Sequence, residues 1–378
     1  MLYDRQSGKH AVVNEAFDRN VENILWSPDS KTIYFVAEDQ TVKPVYAVSA
    51  AAGSEPKQII KDTYNFELVV SRDGKTLVFS RSSQVMPAEM FAANADGSGA
   101  RQLTQHNADK TAQLDLSVPE KFWFAGAGGT QVQAMLIRPP KFDASKKYPL
   151  LVLAHGGPQT MWSDNWGYRW SAQLFASPGY AVLMINRRGS TGYGQKFVDE
   201  IRNDYGGKAF DDLMLGVDAA LKKYPFLDGS RMAAAGASYG GFMMNWFASH
   251  TNGRFKAIVC HAGVYDQTSF YGATDELWFP EWDMQGMPWT NTESYAKWSP
   301  STYAAEFGKY KTPTLVIHGE QDYRVPYTEG LQMYTALQRQ GVPSRLVIFP
   351  DEGHWILKPQ NSELWYKVVF DWLATYLK

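Results

Sequence analysis

Two patterns of apolar and polar positions divide the chain. Up to about residue 110, apolar residues come in short alternating runs broken by turn residues, which predicts short half-buried β-strands. Beyond Leu116 the pattern changes. Leu150-Leu151-Val152-Leu153-Ala154 and Ala181-Val182-Leu183-Met184-Ile185 are unbroken apolar runs, as expected of parallel strands covered on both faces. Thr314-Leu315-Val316-Ile317 and Leu346-Val347-Ile348-Phe349 read as further strands, and residues 132–138 alternate like one. Residues 210–221 carry apolar positions at helical spacing, and residues 365–377 read as a closing amphipathic helix. Strands alternating with helices predict an α/β domain over residues 113–378, preceded by a β-rich segment over residues 1–112.

The β-rich segment repeats itself. Trp26-Ser27-Pro28-Asp29-Ser30-Lys31-Thr32-Ile33-Tyr34-Phe35 returns 44 residues later as Val70-Ser71-Arg72-Asp73-Gly74-Lys75-Thr76-Leu77-Val78-Phe79. Short strands with a period in the forties are the pattern of β-propeller blades of about four strands each. The repeats account for two blades, and residues 2–13 look like the tail of an earlier one. Two blades cannot close a ring, which typically takes at least about four. An open strand edge is therefore expected, facing solvent, the second domain or another subunit, and such an edge is a route to a homo-oligomer. We favour the reading that the chain is a fragment of a longer protein.

Composition removes several functional classes. The net charge is −2 over 378 residues, so no electrostatic case exists for nucleic acid or an anionic membrane as partner. Cys260 is the only cysteine, so thiolate-rich metal sites and an internal disulfide are excluded. It follows the apolar run Ala257-Ile258-Val259 and reads as a buried strand thiol rather than a nucleophile. No run approaches the roughly 18 apolar residues that span a bilayer, and the first residues lack an apolar signal core, so the expectation is a soluble chain. Neither a metal nor an organic cofactor is expected.

The most informative stretch is Ala233-Ala234-Ala235-Gly236-Ala237-Ser238-Tyr239-Gly240-Gly241. Small residues lead into G-x-S-x-G, and Phe242-Met243-Met244-Asn245-Trp246 continues as a helix. In a strand–turn–helix setting this is a nucleophile elbow, the hallmark of the α/β-hydrolase fold, where the serine is followed along the chain by an acid and then a histidine. Of seven histidines, His10, His106 and His155 precede Ser238. His250 ends the helix that begins beside the serine, His261 leaves little room for an acid, and the turn after His318 is needed to supply one. His354, on a strand-to-helix loop, remains as the base. The acid is Asp322, in Gly319-Glu320-Gln321-Asp322; Glu320 and Asp351 compete but read more simply as solvated loop charges. The imidazole takes the serine proton during attack and passes it to the leaving group, and the carboxylate holds the tautomer. For the oxyanion, one donor is expected from the backbone N–H of Tyr239. The second is expected from the glycine loop His155-Gly156-Gly157-Pro158, with Gly157 as the donor.

Taken with Asn186-Arg187-Arg188-Gly189-Ser190-Thr191-Gly192-Tyr193-Gly194, Asp211-Asp212-Leu213-Met214 and Asp322-Tyr323-Arg324-Val325-Pro326, these blocks resemble the prolyl oligopeptidase family of serine peptidases. The resemblance spans about residues 118–378 and is nearest to its acylaminoacyl-peptidase and dipeptidyl-peptidase 5 branch. It implies an α/β-hydrolase domain preceded by a propeller. It further implies that Arg324 binds a substrate carbonyl, for which a permanently charged, multi-donor guanidinium is suited. It also implies that Tyr239, Val264, Phe270 and Val325 line the primary specificity pocket. His155 stands where the dipeptidyl-peptidase IV branch places a tyrosine hydroxyl in the oxyanion hole, and Arg324 where that branch has asparagine. The insertion Trp278-Phe279-Pro280-Glu281-Trp282-Asp283 is expected to overhang the site. The resulting expectation is a serine hydrolase cleaving short peptides or acyl-peptides through an acyl-enzyme. With most of the propeller absent, the alternative is a carboxylesterase acting on short-chain or aryl esters with the same three residues.

Overall fold

The computed structural model describes all 378 residues and divides into two compact units. The first comprises Met1–Pro119 together with two later segments, Met161–Gln173 and Thr191–Val198. Its strands are β1 (Leu2–Tyr3), β2 (His10–Ala11), β3 (Val21–Trp26), β4 (Thr32–Ala37), β5 (Val45–Ser49), β6 (Lys57–Ile60), β7 (Tyr64–Val70), β8 (Thr76–Ser83), β9 (Met86–Asn94) and β10 (Arg101–Gln102). Strands β3–β6 and β7–β10 form two four-stranded antiparallel sheets, and β1 pairs with β2 alone. This is two blades and a short hairpin.

The repeat survives at the level of atoms. In each blade a serine hydroxyl bonds the aspartate two residues on at 2.6 Å, Ser27 to Asp29 and Ser71 to Asp73. The same hydroxyls accept the N–H of Thr32 and Thr76, closing the turn from first to second strand. The left-handed position of that turn falls to Ser30 (φ 58°) in one blade and Gly74 (φ 70°) in the other. Strand β4 is covered on both faces. Tyr34 and Val36 join the core shared with Leu68, Leu77 and Phe79, while Ile33, Phe35 and Ala37 pack with Tyr46, Val48, Val13 and Phe17. Strand β3 is one edge of its sheet, with Val21, Ile24 and Trp26 exposed, while Asn23 bonds the backbone of Leu68 in β7. The two later segments belong to this unit through bonds such as Asp164 Oδ1 accepting Gln84 N–H (2.9 Å) and Thr191 Oγ1 donating to Glu38 (2.5 Å).

The second unit comprises Glu120–Thr160, Leu174–Ser190 and Asp199–Lys378. Its strands are β11 (Glu120–Ala125), β12 (Gln131–Ile137), β13 (Tyr148–Ala154), β14 (Ala181–Asn186), β15 (Leu227–Ala237), β16 (Ala257–His261), β17 (Thr314–Gly319) and β18 (Ser344–Phe349). They form one sheet in the order β11-β12-β14-β13-β15-β16-β17-β18, antiparallel over the first three strands and parallel from β14 on. The unbroken apolar runs are its fully buried centre: Leu150, Leu151, Val152 and Leu153 are all inaccessible to solvent. Helix Lys208–Lys223 buries Ala209, Asp212, Leu213, Gly216, Val217 and Ala220, the stripe its spacing predicts. Asp212 sits in that stripe because the Arg188 guanidinium reaches it through both Nε and Nη2, at 2.9 and 2.7 Å. A buried carboxylate is tolerated only when so paired.

From β13 the chain steps to β14 on one side, and from β15 it steps through β16 to β18 on the other. Between β13 and β15 the order reverses, and ligands of open α/β sheets bind at the carboxyl ends of strands at such a point. No helix is long and apolar enough to cross a membrane.

Candidate active site

Ser238 stands between β15 and helix Tyr239–His250 with φ 60° and ψ −121°. A residue with a Cβ rarely adopts such a backbone, and it persists only where the surroundings enforce it. The enforcement is visible. Ser238 N–H donates to His261 O (3.0 Å), and Ser238 O accepts from Phe242 (2.8 Å). A Cβ on Gly240 would lie 2.1 Å from Ala154 O, so only glycine lets the helix start press against the end of β13. The helix is buried from Tyr239 to Ser249, which makes the turn part of the core.

Asp322 follows β17 and His354 follows β18. Their loops are pressed together, because a Cβ on Gly319 would meet Gly353 O at 2.1 Å, and Gln321 N–H donates to Glu352 O at 2.9 Å. His354 Nδ1 is 2.7 Å from Asp322 Oδ2, with both residues buried. Asp322 Oδ1 accepts the N–H groups of Arg324 (3.0 Å) and Val325 (2.9 Å). A second imidazole approaches the same carboxylate: His318 Nε2 is 3.4 Å from Oδ2 and donates to Val325 O at 2.7 Å. Burial alone would raise the Asp322 carboxyl, but the hydrogen bonds from His318 and His354 and their charge hold it well below the usual carboxylate range. His261 is pushed down to about 3, by burial first and then by the charges of His318 and His354, and so stays neutral. Glu320 and Asp351 are exposed, the latter bonded to Lys358 and Asn361. His250 lies stacked on Trp246 at 3.9 Å.

The glycine loop of residues 155–158 follows β13. Gly157 has φ 101°, and a Cβ there would clash with Gln159 N at 2.5 Å. Gly156 lies against the elbow, its Cα pointing a Cβ position 3.3 Å from Ser238 Cβ. The His155 ring is turned into the protein, with Nε2 2.9 Å from Ser190 Oγ. Burial, and next the neighbouring Arg187 charge, keep it well below the ordinary histidine range, hence neutral.

One pocket brings together Gly157, Ser238, Tyr239, Val264, Phe270, Arg324 and Val325, all singled out from the sequence. Phe279 of the insertion joins them, as do Tyr205, Thr274 and Glu276, which the sequence did not mark. Asp322 and His354 lie outside this lining, joined to each other. The Tyr239 hydroxyl donates to Tyr205 O at 2.5 Å, so the tyrosine is anchored at the pocket wall. Arg324 is not free: Nη2 is 3.0 Å from Glu276 Oε1 and Nε is 3.6 Å from Asp275 Oδ1. The insertion forms helix Trp278–Asp283, with Trp278 and Trp282 exposed and Asp283 buried. Asp275 and Glu276 stand just before that insertion, Glu276 48 residues ahead of Arg324, and no local signal marks the pairing.

The family profile described as "Prolyl oligopeptidase family" matches residues 166–378. Dipeptidyl-peptidase 5 of Porphyromonas gingivalis is 37% identical over 380 residues, covering 99% of this chain and 54% of that protein. Dipeptidyl-peptidase 5 of Schizosaccharomyces pombe is 36% identical over 384 residues, covering 100% of this chain and 55% of that protein. The solved acylaminoacyl peptidase of Pyrococcus horikoshii superposes with a TM-score of 0.86 at 28% identity, over 96% of this chain and 57% of its own. The chain thus spans about half the length of the relatives it matches.

Proposed function

The chain belongs to the prolyl oligopeptidase family, and on that premise we propose that it is a serine peptidase cleaving short peptides or acyl-peptides, with Ser238 as nucleophile, His354 as general base and Asp322 as the acid that orients it. The observation that carries this reading is the His354–Asp322 contact of 2.7 Å after β17 and β18, in the same sheet whose strand β15 ends in a serine held at φ 60°. The relatives' names, dipeptidyl-peptidase and acylaminoacyl peptidase, supply the substrate class.

In the proposed mechanism the neutral His354 accepts the Ser238 proton as the hydroxyl attacks the scissile carbonyl. Asp322 stabilises the imidazolium that forms, and the backbone N–H groups of Tyr239 and Gly157 receive the oxyanion. Protonation of the leaving amine by His354 gives the acyl-enzyme, which water then hydrolyses by the same steps. Arg324 holds a carbonyl of the substrate. Tyr239, Val264, Phe270 and Val325 enclose the side chain before the cleaved bond. Their apolar walls favour an uncharged residue there.

The decisive experiment is labelling with a fluorophosphonate, followed by mapping of the modified residue. Modification at Ser238, loss of it in Ser238→Ala, and release of p-nitroaniline from dipeptidyl or acyl-aminoacyl anilides are the expected results. Turnover of p-nitrophenyl esters with no turnover of any anilide points instead to the carboxylesterase reading. Undiminished activity in Ser238→Ala sinks both.

A further inference from the structure

Arg187 directly follows β14, and its side chain is completely buried. A buried guanidinium demands acceptors for its donors. Those it finds are all on one loop or beside it. Nη1 donates to Pro158 O (3.2 Å) and Arg188 O (3.1 Å), and Nη2 donates to His155 O (3.2 Å) and Gly156 O (3.5 Å). The carbonyls of residues 155, 156 and 158 bracket Gly157. The face of the same guanidinium lies 4.3 Å from the centroid of the Tyr239 ring. One side chain therefore touches the backbone that carries one proposed oxyanion donor and the ring of the residue that carries the other, although they come from different strands, β13 and β15.

The charge has little else to do. Of the buried carboxylates whose charge acts on it, Asp212 is taken up by Arg188, and Asp283 accepts from Nε2 of Gln159 (2.9 Å), the residue that follows the loop, while its Oδ2 has no hydrogen-bond partner. Arg187 Nε is likewise without a partner. A cation serving only stability at this depth would be expected to form a direct ion pair, as Arg188 does with Asp212. Arg187 instead spends its donors on the carbonyls of a glycine loop that has no regular structure to fix it.

We infer that Arg187 is a positioning residue for the oxyanion hole: it clamps the loop of residues 155–158 to the ring of Tyr239 and so sets the distance between the Gly157 and Tyr239 N–H groups. This rests on the serine-peptidase reading above. Since oxyanion stabilisation depends on donors aimed at the transition-state oxygen, a loosened loop lowers kcat while substrate binding in the apolar pocket is kept.

The test compares Arg187→Met and Arg187→Lys with the unaltered 378-residue chain, using a p-nitrophenyl ester and the anilide that turns over best, with active sites titrated by fluorophosphonate. Removing or misaligning one such donor typically costs about 10- to 1,000-fold in rate. Arg187→Met is expected to lose about 30-fold or more in kcat, with KM within about threefold. Arg187→Lys is expected to recover only part, because its donors all sit on one nitrogen, whereas the guanidinium reaches the loop carbonyls from two. Unchanged kcat in either folded variant overturns the inference, as does a rise in KM with kcat intact, whatever happens to the melting temperature. Should Arg187→Met fail to fold, Arg187→Lys, which keeps the buried charge, decides the matter by the same kinetic split. If the unaltered chain takes up no fluorophosphonate at Ser238, the parent reading itself has failed, and this inference falls with it.

Discussion

Asp322 Oδ2 receives His354 Nδ1 at 2.7 Å, and the opposite oxygen of the same carboxylate is held by two backbone N–H groups. The carboxylate is thus held at both of its oxygens. Asp322→Asn keeps the shape but presents an amide to the ring, which favours the wrong tautomer. We expect kcat to fall by about 10³- to 10⁴-fold, with fluorophosphonate labelling slowed in proportion. A loss below tenfold in both removes Asp322 from its role.

The same carboxyl should register in acid unfolding. Its folded pKa is depressed, so it stabilises the fold above its unfolded value near 4, and this contribution is lost as pH falls towards the folded value. Urea midpoints between pH 6 and 2.5 should converge for wild type and Asp322→Asn at the acid end. A constant gap across that range contradicts the assignment.

Asp283 has the opposite sign. Burial lifts its carboxyl to about 7, against roughly 4 in the unfolded chain. Between about pH 4 and 7 the unfolded state gives up a proton that the folded state keeps, so this group lowers stability as pH rises and levels off above about 7. Asp283→Asn should therefore be more stable than wild type at pH 8, on the order of 4 kcal/mol, and nearly equal at pH 4. Denaturant titrations at the two pH values measure it; equal differences at both would show that Asp283 is ionised in the fold.

Arg324 meets Glu276 at 3.0 Å with both side chains partly exposed, at 39% and 27%. Such pairs contribute about 0.2–1 kcal/mol. Glu276→Gln is expected to shift KM by about two- to fivefold and leave kcat nearly unchanged, whereas Arg324→Ala should raise KM by tenfold or more on peptide substrates. Steady-state kinetics on one anilide separates the two. Equal effects would mean that Arg324 serves only to pair with the acid.

Cys260 is buried, and burial pushes its thiol up to about 12. Since the thiolate is the reactive form, native protein at pH 8 should resist thiol reagents, while unfolded protein should react with one equivalent. Cys260→Ala should retain full activity. Rapid labelling of the native chain would mean that β16 opens readily.

Gly240 tests the elbow itself. An added methyl must displace either Ala154 O, 2.1 Å away, or the start of the helix. Gly240→Ala is expected to cost at least about 2 kcal/mol and to abolish fluorophosphonate labelling. Normal labelling would show that the turn tolerates a wider spacing.

Local signals carried much of the fold. Leu150-Leu151-Val152-Leu153-Ala154 reads as a buried strand because no polar side chain interrupts it, and the structure buries it completely. The Ser-x-Asp turns repeat because the same short-range hydrogen bonds close both blades. What was not legible depends on distant segments. Nothing near Met161–Gln173 or Thr191–Val198 announces that these stretches pack with the β-rich unit. Likewise Tyr205 and Thr274 carry no motif, and they line the pocket only because the chain returns there.

The amino-acid order alone determined the alternation of strands and helices, the two blades, and the residues eligible for nucleophile, base and acid, because each is written in periodicity, glycine placement or sequence order. Tertiary structure alone decided the partners. Arg324 facing Glu276, Arg187 set among the carbonyls of residues 155, 156 and 158, and Asp283 buried without a full set of bonds depend on chain segments dozens of residues apart meeting at one end of a sheet. Hydrogen bonds and charge act over a few ångströms of space, and linear order says nothing of that distance until the core has closed.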